Sequence, residues 1–166
     1  MLAASAALPL VALAGCRGVG ALAPPPAPAP DVDVLTTVIA GEQLLIARYE
    51  AVLAVPRYRA AGLKATLEPL LAEHRAHLAQ LRSRLIVPAG AARPSPSSPA
   101  RRPSRPVVPG SESAAVAFLR AAELQASDAL LSQLGKVPPS LAQLLASISA
   151  SEATHAAWLQ AGGPAG

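Results

Sequence analysis

Four glutamates occupy positions where long apolar helices should carry leucine. Glu42 and Glu73 lie 31 residues apart, and Glu123 and Glu152 lie 29 apart. The chain has seven glutamates in all, so more than half of them interrupt apolar lines. Burying an unpaired carboxylate costs roughly several kcal/mol unless something compensates it. Four such sites in four successive helical patterns point to one shared compensation, and a cation is the simplest. They also constrain the fold, because the helices that carry these residues must bring them to one place.

The rest of the sequence supplies those helices. Hydrophobic residues make up 52% of the chain but aromatics only 2%, with alanine and leucine dominant. Ala and Leu favour helix, whereas sheets draw on β-branched and aromatic residues, so the fold class is all-α. A first helix is predicted from Asp31 or Asp33, either of which can cap it, to about Ala54, since Val55 precedes Pro56. Its inward line reads Leu35, Val38, Ile39, Glu42, Leu45, Tyr49 and Val52. A second helix covers about residues 60–85, with Leu63, Leu67, Leu70, Leu71, His74, Leu78, Leu81 and Leu85 on its stripe. Pro69 predicts either a kink or a true start near Thr66. A third helix, capped by Ser111, is predicted over 112–134, with Val116, Leu119, Glu123, Ala126, Leu130 and Leu134 inward and Gly135 ending it. The fourth follows Pro138-Pro139. Ser140 and Gln143 form an S-x-x-Q capping box, and Leu141, Leu144, Ile148, Glu152, His155 and Leu159 form its stripe.

Residues 86–111 are rich in Pro, Ser, Ala and Arg and show no periodicity, which predicts a disordered loop. The links at 55–59 and 135–140 are short by comparison. Short, long, short predicts two antiparallel hairpins joined by a crossover that travels the length of the bundle.

The first 30 residues read differently. Residues 2–15 are uncharged and mostly apolar, too few for the ~20 that span a bilayer but suited to a signal peptide. They end at Cys16, the only cysteine. Leu13-Ala14-Gly15-Cys16 resembles the lipobox of bacterial lipoproteins. That resemblance implies cleavage before Cys16, diacylation of its sulfur and an extracytoplasmic protein anchored to the membrane. No Lys or Arg precedes Cys16, a departure from the usual leader, and the alternative is an ordinary secretory leader with Cys16 incidental. Residues 16–30 contain five prolines between 24 and 30 and read as a semi-rigid tether.

Nucleic acid is not an expected partner. The net charge of +4 equals the contribution of Arg93, Arg101, Arg102 and Arg105, all in the proline-rich stretch, and no helix carries a basic face with interleaved aromatics.

With this pattern of residues, 31–162 resembles a ferritin-like four-helix bundle of the di-iron carboxylate type. The resemblance implies one Glu from each of the first and third helices and Glu-x-x-His from each of the second and fourth. The second half matches with Glu123 and with Glu152-Ala153-Thr154-His155. In the first half Glu42 matches, and Tyr49 lies two turns along the same face. The second helix departs from the pattern, since Glu73-His74-Arg75-Ala76-His77 holds no Glu-x-x-His. Glu42 to His74 is 32 residues, as is Glu123 to His155, which favours His74; Glu73 with His77 keeps the carboxylate count. The implied metal ligands are therefore Glu42, Glu73, His77, Glu123, Glu152 and His155, with His74 as a substitute.

The implied cofactor is a di-iron or manganese centre, and the implied activity is metal oxidation or peroxide handling. The competing reading is a lipidated helical module without metal, docking a protein partner or a second copy of itself. Its polar core positions would then pair with each other, and a glutamate at a helix edge could reach water or an arginine such as Arg48, Arg75 or Arg120. Nucleophilic catalysis is not expected, because the one cysteine lies in the leader and no serine-centred motif occurs.

Overall fold

The computed structural model describes residues 30–60, 62–86 and 106–162. The leader, the tether before Pro30 and most of the proline-rich stretch lie outside the described residues. Among those described, every regular element is helical. Helix α1 spans Pro30–Leu53, α2 Pro56–Ala60, α3 Leu63–Arg84, α4 Glu112–Leu131 and α5 Pro139–Gln160; a 3₁₀ turn, Leu134–Lys136, precedes α5. None of these helices is long and apolar enough to cross a membrane.

Two apolar clusters fix the direction of each helix. One gathers Tyr49 and Val52 of α1 with Leu63 and Leu67 of α3, Ala115 and Leu119 of α4 and Leu159 of α5. The other gathers Val34, Leu35 and Val38 with Leu81, Leu130, Leu141 and Leu145. The late part of α1 thus meets the early parts of α3 and α4 and the end of α5. Helices α1 and α3 form one antiparallel hairpin, and α4 and α5 form another. Helices α3 and α4 run in the same direction, so the chain between them must return along the bundle. Packing is dense within each hairpin and sparse between the two. The glutamate layer lies between the clusters, at that sparse seam.

Several local expectations are corrected. The link at 55–59 is a short helix, α2, rather than a bare turn. The buried Tyr58 donates its hydroxyl hydrogen to the Pro109 carbonyl, and Arg57 reaches the Gly110 carbonyl at 3.0 Å. That helix therefore pins the chain just before α4. Helix α3 begins at Leu63, after Gly62 in a left-handed conformation (φ 83°), rather than at Thr66. Pro69 lies inside it on an exposed face, where water can satisfy the Ala65 carbonyl that loses its partner.

Ser111 caps α4 as predicted, its hydroxyl accepting from the Ala114 N–H at 3.2 Å. Helix α4 stops at Leu131, short of Leu134, where the Ser132 hydroxyl takes the Ala129 carbonyl and the chain tightens into the 3₁₀ turn. The capping box at Ser140 and Gln143 does not form. Pro139 occupies the first turn with its fixed φ, which starts α5 before Ser140. Neither Asp31 nor Asp33 is the cap of α1; both sit in its first turn, where their charge favours the helix dipole.

Candidate metal centre

Each hairpin contributes a glutamate from one helix and histidine from the other. In the first, α1 supplies Glu42 and α3 supplies His74, whose Nδ1 lies 3.1 Å from Glu42 Oε2. In the second, α4 supplies Glu123 and α5 supplies His155, whose Nδ1 lies 3.6 Å from Glu123 Oε2. The remaining nitrogens cross the seam. His74 Nε2 meets Glu123 Oε1 at 2.8 Å, and His155 Nε2 meets Glu73 Oε2 at 2.9 Å. The two hairpins thus present the same Glu–His pairing, as the equal 32-residue spacings imply.

The symmetry stops at one position. Three residues before His155 stands Glu152, but three before His74 stands Leu71, buried in the apolar cluster. The site has a single Glu-x-x-His, and the first hairpin supplies His77 and Glu73 instead. His77 is 13% exposed, with Nδ1 3.4 Å from Glu42 Oε1. Glu73, expected to face the core as a ligand, is instead 56% exposed, because its helix turns His74 inward; it reaches in from the rim, accepting from the Ser151 hydroxyl at 3.2 Å. His74, expected only as a substitute, is fully buried and central.

Among the described residues, Glu42, His74 and His77 form one group able to hold a metal ion, and His74, Glu123 and His155 form a second. Glu152 belongs to neither group but is buried beside them. Tyr49 orients the layer by donating its hydroxyl hydrogen to Glu123 Oε1. One turn from the layer, Ser127 and Ser149 exchange hydroxyl-to-carbonyl bonds of 3.0 and 3.1 Å, which lock α4 against α5.

The arginines do not neutralise these carboxylates. Arg75 pairs with Glu50, Arg120 with Gln160, and Arg48 stacks over Phe118. Charge compensation therefore falls to the histidines. Burial opposes the charge on His74, but hydrogen bonds to Glu123 and Glu42 outweigh it and raise its pKa to about 10. His155 is raised as well, burial again being outweighed by Glu123 and Glu73. Burial would raise Glu123, but His155, His74 and Tyr49 hold it down at about 2. Glu42 is lowered by His74 and His77 against its burial, and Glu73 by its bond to His155. Glu152 goes the other way. Burial and the nearby charges of Glu42 and Glu123 push it up to about 9, so at neutral pH it holds a proton.

Five atoms of this layer are buried and make no hydrogen bond: Glu42 Oε1 and His77 Nδ1, which face each other at 3.4 Å, Glu123 Oε2 and His155 Nδ1, which face each other at 3.6 Å, and Glu152 Oε2, which faces neither. Buried polar groups are ordinarily paired, so a cluster of orphans calls for an ion or water. The mixed carboxylate and imidazole set suits iron or manganese. On these observations the residues fit a metal. Comparison with protein-family models, curated proteins and solved structures finds no match to this chain.

Proposed function

We propose that residues 31–162 are a ferritin-like domain that binds divalent transition metal, iron or manganese, in its Glu/His layer. The observation that carries the reading is the convergence, from four helices, of five buried ligand atoms that make no hydrogen bond. Glu42 with His77 and Glu123 with His155 are the protein ligand pairs, His74 lies between them, and Glu152 is the reserve carboxylate. Bound iron or manganese would supply one-electron redox chemistry, for metal oxidation or the handling of peroxide. The protein's own part is to hold its ligands in a water-poor layer and to orient them.

Glu73 has the second of these tasks. It is exposed, but its carboxylate accepts from His155 Nε2, which leaves Nδ1 on the inner side, facing Glu123 without a hydrogen bond. A carboxylate that holds the far nitrogen of a histidine fixes the ring and raises its basicity. Cys16 lies outside the described residues; in this reading it carries the lipid that anchors the domain to the envelope membrane.

The test is metal content and thermal unfolding with Fe(II) or Mn(II). Wild type is expected to bind metal and to melt higher with it, by mass action. Glu73→Gln is expected to weaken binding by roughly ten- to a hundredfold, the usual effect of losing such a partner. A melt that metal leaves unchanged would sink the proposal. One observation favours a second reading, a metal-free interaction module: His74 paired to both Glu42 and Glu123 already balances much of the layer's charge. That reading takes over if no metal binds.

A further inference from the structure

Between α1 and α4 a pocket of about 170 Å³ leads to the glutamate layer. Small residues open it, Gly41 on α1 opposite Ala126 and Ala129 on α4. The buried Val38 and Leu130 line it further in. Thr37 and Gln133 add polar groups to the lining, and Glu42 and Glu152, 2% and 1% exposed, complete it, each with one oxygen that makes no hydrogen bond. No lysine, arginine or histidine is among the residues described as lining it.

Gly41 supplies an independent clue. It sits in the interior of α1, where glycine weakens a helix relative to alanine. Its backbone is not left-handed, and a Cβ added there would meet nothing within 4 Å. Neither conformation nor close packing requires glycine at this point. Its effect is to leave the mouth of the pocket open.

We propose that this pocket binds a small uncharged organic molecule, with an apolar body about the size of a six-membered ring and one hydrogen-bonding group that meets Glu42 and Glu152. The size follows from the volume, since an apolar cavity of about 150 Å³ accepts benzene. Apolar walls with a few convergent polar groups are the usual make-up of a small-molecule site. The exclusion of anions follows from the ionised carboxylate of Glu42 and the lack of a cation in the lining, an arrangement that sets like charges together. Glu42 and Glu152 belong also to the layer proposed to hold metal, so the pocket shares those two residues with the metal reading and is tested with metal removed.

Phenol is the probe, titrated into the full chain after chelation of metal and followed by the amide NMR shifts of Gly41, Ala126 and Ala129. Saturable shifts at these residues are expected, with benzoate weaker by about tenfold or more. Gly41→Leu should fold, because it replaces a poor helix former in open space, and should weaken phenol binding by about tenfold or more. Ala126→Leu on the opposite wall should do the same. Shifts that fail to saturate, benzoate binding as tight as phenol, or unchanged binding in both variants would overturn the site. Metal-dependent melting is read separately, so either proposal can fail without the other.

Discussion

Glu152 is a residue whose burial opposes the stability of the metal-free domain. Its Oε2 has no partner, and burial with two neighbouring carboxylates raises its pKa to about 9. Glu152→Met keeps the length of the side chain and removes the unpaired polar group. The metal-free domain should gain about 1–3 kcal/mol, the usual cost of burying such a group, while the metal-induced rise in melting temperature is lost. Urea unfolding and metal-dependent melts read the two effects separately, and a destabilised variant would contradict the orphaned carboxyl.

The same layer sets a pH dependence. Glu123, lowered from 4.5 to about 2, contributes stability that is present above pH 4.5 and lost as pH falls toward 2. Glu42 and Glu73 act in the same direction. His74, raised from 6.5 to about 10, contributes stability that is present below pH 6.5 and lost as pH rises toward 10, with His155 in the same direction. Glu152, raised from 4.5 to about 9, likewise loses its contribution as pH rises between those values. The metal-free domain should therefore be most stable near pH 4.5, with stability falling slowly to pH 6.5 through Glu152 and faster above it as His74 loses its contribution. Metal binding requires deprotonated ligands, so saturating Mn(II) should move the optimum upward. Melting curves across pH, with chelator and with Mn(II), measure both, and an unmoved optimum would count against metal ligation by these groups.

At the scale of elements, the hairpins owe their geometry to small contacts the apolar pattern does not show. The reciprocal Ser127–Ser149 bonds hold α4 against α5 beside Glu123 and Glu152. Helix α2, only five residues long, holds the chain that enters α4 through Tyr58 and Arg57. Tyr58→Phe leaves the ring in its buried position but removes the bond to the Pro109 carbonyl. A loss of about 0.5–1.5 kcal/mol is expected, with the response to metal unchanged because the site lies beyond that end cluster. Chemical denaturation with and without metal checks both parts.

Helix existence was readable from the 3–4 spacing of leucines because each stripe must face a core. The ends were less so. Pro139 set the start of α5 ahead of the Ser140 box, and Ser132 ended α4 before Gly135. Both are competitions between neighbouring local signals, which apolar spacing does not weigh.

For the whole molecule, the parallel course of α3 and α4 makes the long connection a necessity. A helix of 20 residues, the length of α4, is about 30 Å long. The 27 residues between Arg84 and Glu112 can cross that distance, since an extended chain covers about 3.3 Å per residue. Anchoring is a property of the whole chain too. If Cys16 closes a lipoprotein leader, Cys16→Ser should shift the protein from the membrane fraction to the soluble fraction or leave it unprocessed. Fractionation and the mass of the mature N-terminus test this, and a variant that behaves as wild type would remove the lipid anchor from the proposal.

The sequence by itself determined that this chain is helical, that Glu42, His74, Glu123, Glu152 and His155 interrupt its apolar stripes, and that a long link divides the long helices two and two. Those features are local or periodic, and spacing along one chain carries them. Tertiary structure decided the rest. It put His74 at the centre of the layer, Glu73 at its rim with His155, and Leu71 where a second Glu-x-x-His would need its carboxylate. Adjacent residues on a helix point about 100° apart. Which of Glu73, His74 and His77 faces the seam therefore depended on how the two hairpins rotate against each other, a choice made by side chains distant in sequence.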